Sequence, residues 1–217
     1  MQQAFGLRIP QTLEEVCDPA RTALIVHDMQ VGIVSQLSDG GVIAQRVAEV
    51  RQAARDAGVR VVYTRHMSLP NEVAGIVQLR TAMAWQRVER VSDVKPAFLR
   101  DSPAFQITPE LQPDPSEVVF DKFTMSAFEG TPLNITLRDC GLIAFVIVGI
   151  ALEVGIEPTV RHAMDLGYIP VVVTDACGSR DKAAARRALD SLSFAGGSLQ
   201  TDVKTICALF KRFRREH

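Results

Sequence analysis

The chain has 217 residues, 47% of them hydrophobic and 23% charged, with a formal net charge of -1. That length fits a single domain over residues 1–217 with ample material for a buried core. The near-neutral balance gives no electrostatic reason to expect nucleic acid or an anionic membrane as partner, and no apolar run approaches the ~20 residues that span a bilayer.

The first stretch, "MQQAFGLRIPQTLEEV", has no basic start followed by an apolar segment. It reads as an N-terminal extension over 1–19 rather than as a signal peptide. The run "TALIVH" (22–27) is the first of five short apolar segments rich in β-branched residues. The others are "VRVVYT" (59–64), "EVVFDK" (117–122), "LIAFVIVG" (142–149) and "IPVVVTD" (169–175). They are continuous rather than alternating, as strands buried on both faces of a parallel sheet are.

Helix-like segments lie between them. Residues 42–58 place Val42, Ala44, Val47, Val50, Ala53, Ala54 and Ala57 on one side and stop at Gly58. Segments 131–141, 157–167 and 180–197 also end in glycine. Region 66–116, with the single Trp85, is the least regular and is expected as loop and helix near the pocket. The tail "KRFRREH" suits a solvated helix end, where cations complement the dipole. Strands alternating with helices predict an α/β fold, a three-layer αβα sandwich with a mainly parallel, doubly wound sheet. Cys17, Cys140, Cys177 and Cys207 lie far apart without metal spacing, so reduced thiols and a cytoplasmic location are expected.

In such sheets the ligand crevice lies at the carboxyl ends of the strands. That rule selects His27, Asp28, Arg65, His66, Lys122, residues 150–155 and Asp175. Asp28 would be partly desolvated there, which raises a carboxyl pKa and suits proton transfer; a turn-capping Asp would look the same. Lys122 could hold Asp28 ionised or meet developing negative charge, or be a surface lysine with a buried stem. At Glu153–Gly155 a helix start could bind an anion through backbone N–H groups, while glycine also simply permits a tight turn.

Three segments in this order resemble the isochorismatase-like hydrolase superfamily over about residues 20–200. They are "LIVHDMQ", "DKFTMSAFEGTPL" and "VIVGIALEVGIEPTVRHAMDLGYIPVVVTDA". The resemblance implies a catalytic Asp at Asp28, a catalytic Lys at Lys122 and the family's nucleophilic Cys at the position of Gly155. The family's Thr in the third segment falls on Leu152. Without the thiol, the acyl-enzyme chemistry of the family's amidases has no attacking group. Cys177 comes closest, one strand away in register. True isochorismatases are similar here, since they carry "HDMQ" with glycine at the cysteine position and cleave a vinyl ether by protonation and water addition. "YTRHMSLPNE" does not match their A-Q-P type segment, no W-G-P-G element occurs in 80–100, and "SAFEGTPL" is similar to the amidase branch.

The expectation is therefore a hydrolase of a small organic molecule, with Asp28 as general acid or base, Lys122 within direct or one-water reach of it, and no covalent intermediate. Gly155 would be an opened seat for water or substrate, with the backbone at 151–155 as anion cradle. Gln30, Arg65, His66, Ser126, Phe128, Ala151, Leu152 and Glu153 would line the pocket. An amide hydrolase using activated water and a binding protein without catalysis are the alternatives. Only His66 stands near the second strand without an Asp beside it, so no metal and no cofactor are expected. The resemblance further implies a homodimer or homotetramer.

Overall fold

Strands covered on both faces need apolar side chains at every position, and helices on each side to cover them. The computed structural model, which describes residues 1–213, has this architecture. A hairpin of β1 (Gln2–Ala4) and β2 (Leu7–Ile9) stands apart from the main sheet. Helix α1 (Leu13–Val16) follows, opened by a reciprocal cap between Thr12 and Glu15, and the short helix α2 (Val31–Val34) comes after the first strand of the main sheet.

The main sheet is built from β3 (Thr22–His27), β4 (Arg60–His66), β5 (Val118–Lys122), β6 (Ala144–Ile150), β7 (Ile169–Gly178) and β8 (Leu199–Thr201). Their spatial order is β5-β4-β3-β6-β7-β8, and every pairing is parallel. The chain builds outward through β3, β4 and β5, then returns to the far side of β3 with β6. The order therefore reverses between β3 and β6, the place where open α/β sheets form a ligand crevice.

The period of two within each strand divides the core into two layers. Leu24 and Val26 face α3 (Gly40–Asp56) and α8 (Val203–Arg212), packing with Val47, Val50, Ala54, Ile206 and Phe210. Ala23 and Ile25 face α5 (Leu133–Asp139), α6 (Glu157–Asp165) and α7 (Lys182–Ala195), packing with Leu133, Leu137, Val160, Ala163 and Leu192. Phe145 and Phe210 have no exposed surface, and side chains of that size contribute about 1.5–3 kcal/mol each on full burial.

Several boundaries differ from the sequence expectation. Val42 is exposed and Ile43 takes its place on the buried face of α3. Strand β7 continues past Asp175 to Gly178 and so contains Cys177. The short strand β8 and the N-terminal hairpin were not expected. Region 66–116 contains one helix, α4 (Ile76–Gln86), which buries none of its residues, and three single helical turns. The basic tail continues from α8, and its residues 214–217 lie outside the described residues. Among the described residues no helix is long and apolar enough to cross a membrane.

Candidate active site

Strand β3 ends by turning sharply, and Asp28 adopts a left-handed backbone with φ of 50°. Asp is among the few non-glycine residues that tolerate this region. Its N–H donates to Thr64 O at 3.1 Å, which ties the turn to β4. On the other side His27 is in register with Gly149 of β6. Gly149 has φ of 125°, and a Cβ there would run into the His27 backbone, so only glycine lets the two strands approach this closely.

The turn presents the Asp28 carboxylate to β5. Lys122 Nζ donates to Asp28 Oδ2 at 2.7 Å, the direct one of the two arrangements expected from sequence (direct or through one water), and also to Thr124 O at 3.1 Å. Thr64 Oγ1 donates to Asp28 Oδ1 at 2.7 Å. The lysine and aspartate side chains are only 1% and 7% exposed. Burial pushes the Asp28 pKa up, but His27 when protonated, Lys122 and His66 together outweigh it and hold the carboxyl at about 2. The expected rise is thus reversed, because burial here comes with cations. Asp28 is ionised at neutral pH.

His27 is placed at the crevice by the strand-end rule, which assigns it no role. As the next member of the series Ala23, Ile25, it points toward the α6 layer. Its Nδ1 lies 3.0 Å from Ile150 O and 3.5 Å from Asp28 Oδ2. Burial is the main cause that pulls its pKa down to about 4, so the ring is neutral at pH 7 and donates from Nδ1 to the carbonyl. Nε2 is then a lone pair, buried and without a hydrogen-bond partner among the described residues.

The ring also lies over Gly155. A Cβ built on Gly155 would overlap His27 Cε1 and stand 3.1 Å from Nε2 and 3.3 Å from Nδ1. The expected opened seat is therefore corrected: an imidazole fills that volume. Within the backbone at 151–155 expected as an anion cradle, the N–H groups of Val154 and Gly155 are already engaged. Residues Leu152–Ile156 form a π-helical turn leading into α6, and the N–H groups of Val154, Gly155 and Ile156 donate to Ala151 O at 3.3, 2.9 and 3.1 Å. Gly155 O accepts from Thr159 Oγ1 at 2.7 Å, and Thr159 in turn accepts from Ala127 N, linking the turn to the loop after β5.

The remaining candidates divide by how their polar atoms are used. Gln30 is wholly buried; its Nε2 donates to His66 O at 2.9 Å and Phe105 O at 3.0 Å, and its Oε1 accepts from His66 N at 2.6 Å. It braces the crevice walls and has no amide atom to spare. Arg65 pairs with Asp121 at 2.8 Å and stacks over Phe105, 4.3 Å from the ring centre. His66 is partly exposed, with burial drawing its pKa down. Ser126 Oγ lies 3.0 Å from His162 Nδ1, and Phe128 packs beside His162 and Tyr168. Leu152 is buried, Ala151 is half-buried, and Glu153 holds one carboxylate oxygen, Oε2, buried without a partner among the described residues. Asp175 serves elsewhere, accepting from Val203 N at the start of α8. No group of three or more His, Cys, Asp or Glu that could hold a metal ion occurs among the described residues.

The thiols stay outside this chemistry. Cys177 is buried on β7 with its Sγ toward Ile147 O, and burial pushes its pKa far up; Cys17 is pushed to about 12 and Cys207 to about 11 by the same cause. Iodoacetamide added to the native protein should modify the exposed Cys140 and spare Cys17 and Cys177, as read by peptide mass mapping. A label on Cys177 would return it to the candidate nucleophiles.

A parallel α/β sheet carrying a buried Asp–Lys pair at its carboxyl edge is the class of fold and site, and the comparisons give the family. The isochorismatase domain family matches residues 22–203. The ureidoacrylate amidohydrolase of Methylobacterium radiotolerans is 30% identical over 187 residues, covering 79% of this chain and 72% of that protein. Among solved structures, a cysteine hydrolase from Pseudomonas syringae pv. phaseolicola aligns with a TM-score of 0.76 at 23% identity, over 91% of this chain and 96% of that one. An isochorismatase family protein from Burkholderia thailandensis aligns with a TM-score of 0.71 at 28% identity, over 88% and 96%. The chain belongs to the isochorismatase-like hydrolase family.

Proposed function

We propose that this protein hydrolyses a C–N bond of a small amide or ureido compound, with water as the nucleophile and Asp28 as the proton carrier. The observation that carries this reading is the ionised Asp28 carboxylate held 2.7 Å from Lys122 in a nearly closed site. An ionised carboxylate can take a proton from water as that water attacks the carbonyl, and then deliver the proton to the departing nitrogen. The Lys122 ammonium offsets the negative charge that gathers on the carbonyl oxygen. Arg65, His66, Ser126, Phe128 and Glu153 would line the substrate cavity. Cleaving a vinyl ether would instead need Asp28 protonated at the outset, which the adjacent Lys122 ammonium disfavours. The similarity to a ureidoacrylate amidohydrolase points the same way.

One observation favours a second reading, binding without turnover: three N–H groups that could hold an oxyanion already donate to Ala151 O. A panel of linear ureido acids, small primary amides and vinyl ethers separates the two. Ammonia release from a ureido or amide member, unchanged after iodoacetamide treatment, is the expected result. Turnover of vinyl ethers alone would overturn the bond class. Thermal stabilisation by a panel member without any product would establish the binding reading instead.

A further inference from the structure

We propose that His27 and Gly155 are one functional unit, in which the imidazole occupies the position of a side chain at 155 and residue 27 thereby excludes a covalent nucleophile from the site. The inference rests on the reading of Asp28 and Lys122 as the working pair, and its test reads thiol chemistry rather than turnover.

Three constraints fix the ring there. The period of two along β3 sends His27 to the face covered by α6, in line with Ala23 and Ile25. The bond from Nδ1 to Ile150 O at 3.0 Å anchors the near edge of the ring, and the side chain has no exposed surface through which to swing away. At Gly155 the backbone N–H and C=O are both bonded, to Ala151 O at 2.9 Å and Thr159 Oγ1 at 2.7 Å, so that side of the contact cannot retreat either. Any β-carbon at 155 therefore meets the imidazole at distances shorter than ordinary van der Waals contact. A histidine at 27 requires glycine at 155, whatever else the site contains. Conversely, a smaller residue at 27 frees the volume for a side chain at 155, beside the Asp28–Lys122 pair and at the start of α6. A thiol placed there would feel Lys122 and the helix N-terminus, both of which stabilise a thiolate.

The test compares G155C with H27V/G155C, using iodoacetamide at pH 7 and peptide mass mapping, with the exposed Cys140 as internal reference. In H27V/G155C the introduced thiol should react about tenfold faster than Cys140, as a thiol whose pKa is lowered toward neutrality does. In G155C alone it should react at least about tenfold slower than in the double variant, because overlap with the ring displaces or buries it. H27N/G155C is the second double variant, since Asn keeps an N–H for Ile150 O while removing the far ring atoms. If G155C does not fold, melting temperatures decide: recovery of folding by either change at 27 supports the coupling, and recovery by neither overturns it. The proposal is also overturned if G155C alone folds normally and its thiol reacts as fast as in the double variant, or if the thiol stays inert in both double variants.

Discussion

Asp28→Asn is expected to lower turnover of whichever panel compound is hydrolysed by about 10²–10⁴-fold, the usual contribution of a positioned proton carrier. Asparagine has nearly the same volume, and its amide oxygen can still accept from Lys122 or Thr64. It cannot take the proton from water. The substitution does not leave stability untouched, because Lys122 is 1% exposed and loses its counter-charge. Removing one partner of such a buried pair costs about 3–5 kcal/mol. Lys122→Met should cost a similar amount, by leaving a buried carboxylate without its cation. Removing both charges, in D28N/K122M, should recover much of the loss while activity stays absent. Rates per folded molecule, measured with urea melts on all four proteins, test both halves. Turnover surviving in the double variant would take the pair out of the mechanism.

The second large effect is a loss of stability in acid that begins near neutrality. His27 has a folded pKa of about 4 against an ordinary 6.5, chiefly because of burial. A depressed folded pKa means that the unfolded chain takes up the proton first. Stability is therefore full above pH 6.5 and falls as pH drops toward 4, by about 3 kcal/mol from this group. Asp28 acts in the same direction at lower pH: from 3.8 unfolded to about 2 folded, it withdraws about 2 kcal/mol more as pH falls through that window. His66, also lowered by burial, adds to the first window. Urea melts at pH 7, 5.5 and 4.5 on the native chain and on His27→Asn measure the share of His27. The variant should show the shallower slope, keeping the part due to His66. Equal slopes would mean that His27 titrates normally in the folded protein.

The frame of this fold was legible because its strands and helices repeat. Five apolar runs located five of the six sheet strands, and the ordered segments around Asp28 and Lys122 led to the pair that meets at the rim. What escaped has identifiable causes. In "TALIVH" both faces are buried, so no polar alternation marks the sides, and the direction of His27 toward Gly155 cannot be seen in the run itself. Counting by twos from Ala23 reveals it once register with β6 is known. Burial alone predicts a raised pKa for Asp28, whereas the sign depends on cations that come from β3, β4 and β5. Strand β8 has three residues, too few for a pattern, and α4 buries none of its residues fully, so no apolar stripe marks it.

The bracing by Gln30 sets how the crevice behaves as a mechanical object. One amide ties the end of β4 to the segment around Phe105, and the backbone bridge between Gln30 and Ile107 closes the same ring. That wall cannot open without breaking three hydrogen bonds inside the core, so it unfolds with the sheet as one cooperative unit. Helix α4, which buries no residue fully and is tied to Lys95 by the Gln86 amide, is outside that unit and detaches at lower cost than the wall. The protein thus joins a braced crevice wall, which opens only with the sheet, to a helix that can leave without disturbing that brace.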